Sequence, residues 1–399
     1  MHQHPLFLCL AKGFKGQVLL EQARALGVRT LLLTHEATRG QWADEVADEV
    51  FYFPDFGDRE SLWKAVAYMA RTRRFEAIFP LDELSVEVAA LVREHLGLEG
   101  LDVSQAHRFR DKLLMRQAVG RAGLPQPRFV AAFNDQAVRD FAAQVPPPWY
   151  LKPRSLAGSA GIVRVEGQQQ LSPRLEELGD QRGFYLLEEA IEGRVLHVDS
   201  LVYGDQVAFA QVHAYGDCPW QISQKGGVFT TSTVEARDTA NSLLRTLNER
   251  AISALSLARG VVHAEFLERD GRFYFLEAAA RVGGANIDVL VEQTSGVNLW
   301  REWLRMELCA LRATSYTTPP LKARYGAMLT CLTRQAWPDL EDFDAVEVVW
   351  KLHRLHHAGL VLVSPEFSRL QSRLIEYKRR MEEQFLAILP PRRAGVGRS

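Results

Sequence analysis

The sequence predicts a protein of mixed α/β and α+β class, with an N-terminal βαβ domain, a β-rich middle and a C-terminal α+β module. Three observations carry this. Through the first hundred residues short apolar runs alternate with stretches whose apolar residues recur at helical spacing, the mark of parallel βαβ units. From about Leu101 that alternation gives way to closely spaced β-like segments. After Leu311 a third region begins with a strand pattern at Lys322–Leu332 and ends in a charged helical pattern at Glu366–Leu389.

The elements follow in order. Leu6–Leu10 is an apolar run, Gly16–Leu26 has helical spacing, Arg29–Leu33 is β-like and Ser61–Ala70 is helical. Ala77–Pro80 reads as a short buried strand running into the helical Leu84–His95. A basic stretch, His107–Gly123, reads as one helix closed by Gly123 with Pro125 beyond it. Strand signals come next at Trp149–Lys152, Ile162–Val165, Phe184–Glu188, Val195–Tyr203 and Gln206–Ala214, the last two joined by the hairpin signal Tyr203-Gly204-Asp205. An amphipathic helix at Arg237–Ala258 leads into Val261–Leu267 and Arg272–Leu276. The Pro-, Gly- and Arg-rich tail from Pro390 to Ser399 is expected to be disordered.

Composition excludes several function classes. The net charge is −1, which argues against general affinity for nucleic acid or an anionic membrane surface. No apolar run reaches the roughly 18 residues of a membrane span, and the N-terminus lacks a secretory pattern, so a cytoplasmic protein is expected. The four cysteines, Cys9, Cys218, Cys309 and Cys331, have no CxxC spacing and read as reduced thiols. His353, His356 and His357 have the spacing of one helix face but no acidic partner, so a solvated helix or a cap is preferred to a metal site.

The most informative segment runs from Val261 to Glu277. Two β-like runs flank Asp270-Gly271 and predict an antiparallel hairpin. Side chains alternate faces along a strand, so parity decides whether Glu265 and Glu277 meet. A two-residue loop pairs Glu265 with Leu276; a three-residue loop, Asp270–Arg272, or a bulge pairs it with Glu277. Two carboxylates held about 5 Å apart repel unless a cation lies between them. Mg²⁺ takes such oxygen ligands together with phosphate oxygens. A solvated hairpin also places two charges this way, but Glu277 runs into Ala278-Ala279-Ala280-Arg281-Val282-Gly283-Gly284, too small and apolar for a solvated loop.

A second segment, Trp149 to Val163, reads as strand, small-residue loop, strand. Lys152 at the end of a buried strand is costly unless it meets an anion. Gly158, Ser159 and Gly161 let backbone N–H groups approach phosphate oxygens, although the loop is no Walker A motif.

Together these pieces resemble the ATP-grasp superfamily, from about Ile78 to Gly284. Phe79-Pro80-Leu81-Asp82-Glu83 and Asp111-Lys112-Leu113-Leu114-Met115-Arg116 resemble the entry to that fold, and Tyr150-Leu151-Lys152-Pro153 with its loop resembles the flap over the phosphates. Leu187-Glu188-Glu189-Ala190-Ile191-Glu192-Gly193 resembles the adenine hinge. His263-Ala264-Glu265-Phe266 and Glu277-Ala278-Ala279-Ala280-Arg281 resemble the two metal-ligand segments, twelve residues apart as in biotin carboxylases. The resemblance implies a Rossmann-like pre-ATP-grasp domain over 1–103, an ATP-grasp domain over 104–312 with a flap at about 125–190, a module over 313–390 and a tail over 391–399.

It also implies roles. Lys112 and Lys152 would neutralise phosphates of ATP, with Ser155, Gly158 and Ser159 in the flap. Glu188 would serve the nucleoside, the backbones of Glu189 and Ile191 would read adenine, and His197 aligns with a nucleotide-contacting histidine of biotin carboxylases. Glu265 and Glu277 would hold Mg²⁺, or Mn²⁺ in its place. Arg281 would steady charge on the transferred phosphoryl group, and Glu83 would meet substrate. The implied reaction activates a carboxylate as an acyl-phosphate and joins it to an amine, releasing ADP and phosphate, as in L-amino-acid ligases. The apolar C-terminal region could supply a homodimer interface. Two departures stand out: Ala279 where many members carry Asn at the second metal, and Val195 where many carry Glu at the ribose. They motivate one alternative, an ATP-binding sensor or regulator without turnover. The turn Lys12-Gly13-Phe14-Lys15-Gly16 motivates another, an NAD(P)-dependent oxidoreductase, although it lacks the full G-x-G-x-x-G pattern.

Overall fold

The computed structural model describes residues 4–388, so the expected tail 391–399 lies outside the described residues. The first strands are β1 (Leu6–Ala11), β2 (Arg29–His35), β3 (Glu49–Phe53) and β4 (Ala77–Pro80), interleaved with α1 (Gln17–Ala25), α2 (Arg59–Ala70) and α3 (Val86–Leu96). They form a parallel sheet in the order β3-β2-β1-β4. β1 is buried along its whole length, as a strand covered on both faces must be. Phe7, Cys9 and Phe79 pack to one side with α1; Leu6, Leu8 and Ile78 pack to the other with α2 and α3. The Gly13–Gly16 turn is explained by packing: a Cβ at Gly16 would fall 2.7 Å from Leu81.

The single helix expected over His107–Gly123 is two, α4 (Val103–Arg110) and α5 (Lys112–Arg121). Asp111 breaks it. Its backbone is extended, and its Oδ1 accepts from the amides of Leu113 at 2.9 Å and Leu114 at 3.3 Å, the geometry of an N-cap. The same carboxylate binds Arg154, so the start of α5 is fastened to the segment that follows Lys152.

Next come β5 (Phe129–Ala131), α6 (Asp135–Gln144), β6 (Trp149–Pro153), β7 (Val163–Val165), α7 (Gln168–Leu178) and β8 (Tyr185–Glu189). Their strands form a small antiparallel sheet, β5-β8-β6-β7, over a core that includes Trp149, Leu151 and Leu187. The rest of the chain supplies β9 (Arg194–Tyr203), β10 (Gln206–Tyr215), α8 (Pro219–Lys225), β11 (Phe229–Thr233), α9 (Thr239–Leu255), β12 (Arg259–Arg269) and β13 (Arg272–Ala279). It ends with α10 (Ile287–Ser295), α11 (Leu299–Leu311), β14 (Tyr325–Leu332), β15 (Val348–Lys351), β16 (His357–Ser364) and α12 (Phe367–Gln384). These strands make one eight-stranded antiparallel sheet, β13-β12-β9-β10-β11-β14-β16-β15. The strands of the expected C-terminal module therefore extend the central sheet rather than forming a sheet of their own. The His353–His357 segment is a turn between β15 and β16, not a helix; His356 has φ 55° and His353 stacks on Trp337. Among the described residues no helix is long and apolar enough to cross a membrane.

The β12–β13 hairpin takes the second of the two routes open to the Glu265–Glu277 pairing, a two-residue loop with a bulge. Asp270 and Gly271, both at positive φ, form a two-residue loop closing on Arg269↔Arg272. A bulge between Glu265 and Phe266 then shifts the register by one, and Glu265 pairs with Glu277.

Candidate functional site

The small sheet and the β13-β12-β9 edge of the large sheet close on a cleft with two adjoining cavities. Lys112, Lys152, Ser159, Glu188, Glu189, Ile191, Glu265 and Glu277 line the first. Glu83, Gly158 and Arg281 line the second, which shares Lys112, Ser159, Glu265 and Glu277 with the first. Residues 83 to 281 in sequence thus converge on one place. Two expected residues do not reach the cavities in this way. The Ser155 carbonyl accepts from Arg110 at 2.7 Å. His197 is fully buried beneath Tyr215, with its ring nitrogens 2.8 Å from Asp199 Oδ2 and 2.7 Å from Thr231 Oγ1. The reading of His197 as a nucleotide contact is therefore corrected: its side chain is spent inside the sheet.

Lys112 enters from the first turn of α5, donating to the Leu156 carbonyl at 2.9 Å and lying 3.1 Å from Glu277 Oε2. Burial opposes ionisation of Glu277, but Lys112, with Lys152 and Arg116 behind it, outweighs that and holds the carboxyl at about 2. Glu265 accepts a hydrogen bond from Tyr215 Oη at 2.8 Å. The two carboxylates are hard oxygen donors from adjacent strands, one of them already beside a cation, which suits Mg²⁺ with phosphate oxygens completing its shell.

Lys152, one residue before the end of β6, pairs with Glu188, whose other oxygen takes Arg116 Nη2 at 2.6 Å. Glu188 and Arg116 are each only 2% exposed. Burial raises the Glu188 carboxyl, but Arg116 and Lys152 outweigh it and bring it below the ordinary range. This alters the role expected for Glu188: both its oxygens are engaged by cations, so it orients Lys152 rather than offering a free carboxylate to a nucleoside. Glu189 forks onto Arg128 at 2.9 Å, and its amide donates to the Arg128 carbonyl. Ile191 stands beyond it at the cavity wall. In the flap, Gly158 and Ser159 have φ 63° and 59°, so the loop tip turns left-handed where it covers the cleft.

In the second cavity Glu83 is held by two arginines. Arg281 reaches its Oε2 at 2.7 Å and Arg110 its Oε1. Burial works against both charges, but each outweighs it for the other, lowering the Glu83 carboxyl and raising the Arg281 guanidinium. Glu83 thus acts first as the anchor of Arg281.

Sequence reading assigned no role to Arg110, Arg116, Tyr215, Asp199 or His263. A signal existed for two of them. Arg116 falls on the buried stripe of α5 with Leu113 and Val119, where a charge needs a partner. Asp199 shares a face of the buried strand β9 with Val195 and Leu201. Tyr215 carried no signal, since its partner lies fifty residues away in sequence.

With this geometry in place, comparison with known proteins is direct. Residues 109–285 match the ATP-grasp domain and residues 20–100 the ATP-grasp N-terminal domain. The chain belongs to the ATP-grasp superfamily. It is 23% identical to the alanine–anticapsin ligase of Bacillus subtilis over 278 residues, 64% of this chain and 59% of that protein. It is 25% identical to a D-alanine–D-alanine ligase of Lactococcus lactis over 204 residues, 47% of this chain and 56% of that one. The match thus spans less than two thirds of either relative. In fold it is similar to the L-amino acid ligase of Bacillus licheniformis, with a TM-score of 0.77 at 17% identity, covering 98% of this chain and all of that one. It is also similar to N5-carboxyaminoimidazole ribonucleotide synthetase of Thermus thermophilus, with a TM-score of 0.72 at 20% identity, covering 96% and 99% of the two chains.

Proposed function

We propose that this protein is an ADP-forming ligase that activates a carboxylate as an acyl-phosphate and joins it to an amine, with an amino acid as one substrate. The observation that carries this is the convergence of Lys112, Lys152, Glu265, Glu277 and Arg281 on one cleft. The names of its relatives support the reaction class: alanine–anticapsin ligase and D-alanine–D-alanine ligase both join a carboxylate to an amine. ATP with a divalent cation, Mg²⁺ or Mn²⁺, supplies the phosphoryl group. Lys112 and Lys152 bind phosphate oxygens as point charges. Glu265 and Glu277 hold the cation. The backbones of Glu189 and Ile191 read the base, and Gly158 and Ser159 close over the phosphates and exclude water. Arg281, aimed by Glu83, steadies the charge that develops during transfer. No enzyme nucleophile is required, since positioning and electrostatics suffice for phosphoryl transfer.

The test is a coupled ADP-release screen of amino acids, taken in pairs, with Mg²⁺. Release that needs both a carboxylate and an amine supports the ligase. The departures at Ala279 and Val195 favour a second reading, a nucleotide-binding regulator; ATP binding without turnover across the whole panel would select it. Lys152→Ala and Glu277→Ala should each abolish turnover while the fold survives, and normal turnover in Glu277→Ala would remove the metal assignment. We further place the protein in the cytoplasm, in keeping with four free cysteines. A homodimer through the β15 edge is also proposed, where Val349 and the neighbouring Val346 are exposed and an unpaired strand edge is open to pairing.

A further inference from the structure

Behind the carboxylate pair the large sheet holds a buried polar chain that none of the roles above uses. Alternation along β9, β10 and β12 places His197, Asp199, His213, Tyr215 and His263 on the side that carries Glu265. All five are buried. Tyr215 Oη lies 3.3 Å from His263 Nε2, and His263 Nδ1 lies 2.9 Å from Asp199 Oδ1. The chain continues from Asp199 Oδ2 through His197 to Thr231.

A metal cage is the first idea such a cluster invites, because His197, Asp199 and His213 bring one ligand atom each within 4.8 Å. The ring planes argue otherwise. His197 and His213 stack 4.8 Å apart with 20° between their planes. Their lone pairs therefore run side by side and do not converge on one point, as tetrahedral coordination requires. His197, Asp199 and His263 form a hydrogen-bonded buttress whose outlet is Tyr215, while His213 stacks on His197 with neither ring nitrogen hydrogen-bonded among the described residues.

Tyr215 is the member that donates to a cleft carboxylate. Its ring lies 4.6 Å from His197 and 5.4 Å from Phe229, between which it has little freedom to swing. It occupies Oε1 of Glu265, the oxygen that His263 Nε2 also approaches at 3.6 Å, and leaves Oε2 to other partners. The Asp199–His263 pair meets a second part of the site as well. A Cβ at Gly283 would fall 2.8 Å from Asp199 Oδ1 and 3.2 Å from His263 Nδ1, so the loop that carries Arg281 rests on the same pair.

We propose that Tyr215, backed by the His263–Asp199 pair, is a positioning residue that fixes the Glu265 carboxylate with Oε1 engaged and Oε2 left for a divalent cation. This rests on the metal role given to Glu265 above. Outer partners of this kind set the orientation of a ligating carboxylate, and losing one costs metal affinity rather than the fold.

Mn²⁺ binding to the full chain in the presence of ADP, followed by electron paramagnetic resonance, is the test, with circular dichroism melting as a check on folding. Tyr215→Phe removes only the hydroxyl and should raise the Mn²⁺ dissociation constant about tenfold. His263→Gln, a second variant should the first melt early, should raise it in the same direction. Glu265→Gln is the comparator. If Glu265→Gln weakens Mn²⁺ while folded Tyr215→Phe and His263→Gln bind as the wild type does, the positioning role is wrong and the metal site stands. If Glu265→Gln itself binds Mn²⁺ unchanged, the metal reading falls and the inference falls with it.

Discussion

The Glu188→Gln substitution is the sharpest probe of how the cleft is held together. Glu188 and Arg116 are both 2% exposed and lie 2.6 Å apart, with Lys152 on the other carboxylate oxygen. Removing one partner of a buried ion pair leaves the other charge uncompensated and costs about 3–5 kcal/mol. Glutamine keeps the shape and one acceptor, and Arg116 retains its bond to the Phe275 carbonyl, so the lower end, about 3 kcal/mol, is expected. Urea unfolding at pH 7, followed by tryptophan fluorescence, measures it. With a slope of roughly 1–3 kcal/mol per molar, the midpoint should fall by at least about 1 M. Glu192→Gln is the control: Glu192 is 74% exposed and pairs with Arg164 at the surface, a contact worth about 1 kcal/mol or less. The difference between wild type and Glu188→Gln has a definite pH sign. The folded carboxyl lies below its unfolded value of 4.5, so its stabilisation is complete above that value and fades as pH falls through the folded one. Should Glu188→Gln shift the midpoint no further than Glu192→Gln does, the buried triad does not hold the cleft.

Stability should peak near pH 6.5. Burial drives His197 down to about 3, so its contribution fades as pH falls below 6.5; burial also lowers His263, but Asp199 and Glu265 outweigh it and raise it to about 9, so its contribution fades as pH rises from 6.5 through 9. Melting temperature from pH 5 to 9 checks this, and a monotonic profile contradicts it. Gly283→Ala should cost about 1–3 kcal/mol by overpacking against the Asp199–His263 pair, read as a lower melting temperature; an unchanged melt would mean the loop shifts freely. Glu277→Gln should weaken ATP binding with Mg²⁺ present and strengthen it in EDTA, because the lost carboxylate is a ligand in one case and a repelling charge beside Lys112 in the other. Calorimetry showing the same direction under both conditions would sink that reasoning.

Much of the fold was legible because its signals are local. β1 and the Asp270-Gly271 turn announce themselves within a few residues. The sequence could not choose between a three-residue loop and a bulge, because the bulge lies at the far end of the hairpin, at Glu265, where no turn residue marks it. The break at Asp111 was missed because an N-cap inside a basic run looks like one more polar helix position, and its decisive partner, Arg154, is remote in sequence. Likewise the cleft residues could be named from motifs, but not their partners. Pairings such as Arg110 with Glu83 and Tyr215 with Glu265 depend on which elements the tertiary fold brings together.

Those pairings bear on how the site works. Arg110, Lys112, Arg116, Lys152, Arg281 and the protonated His263 line the two cavities, against five glutamates, Glu83, Glu188, Glu189, Glu265 and Glu277. The cleft's own charges are thus close to balanced, and net field alone does not draw in a polyphosphate. Selectivity must come from exchange of partners. Lys112 sits against Glu277, and Lys152 against Glu188, but the two pairs differ in kind. Glu188 is sealed in and keeps Arg116 when Lys152 turns to an anion, so Lys152 can be shared at little cost. Glu277 is 38% exposed and, among the described residues, has Lys112 as its ion-pair partner, with Lys152 and Arg116 farther off; if Lys112 turned to a phosphate as proposed, that carboxylate would need a new cation. On the roles proposed above, a divalent ion arriving with the phosphates would meet that need, and the Lys112–Glu277 pair would tie anion binding to cation binding. The same exchange leaves Arg281 and Arg110 on Glu83, next to the cavity where a carboxylate would be phosphorylated, with their charge aimed before any substrate arrives.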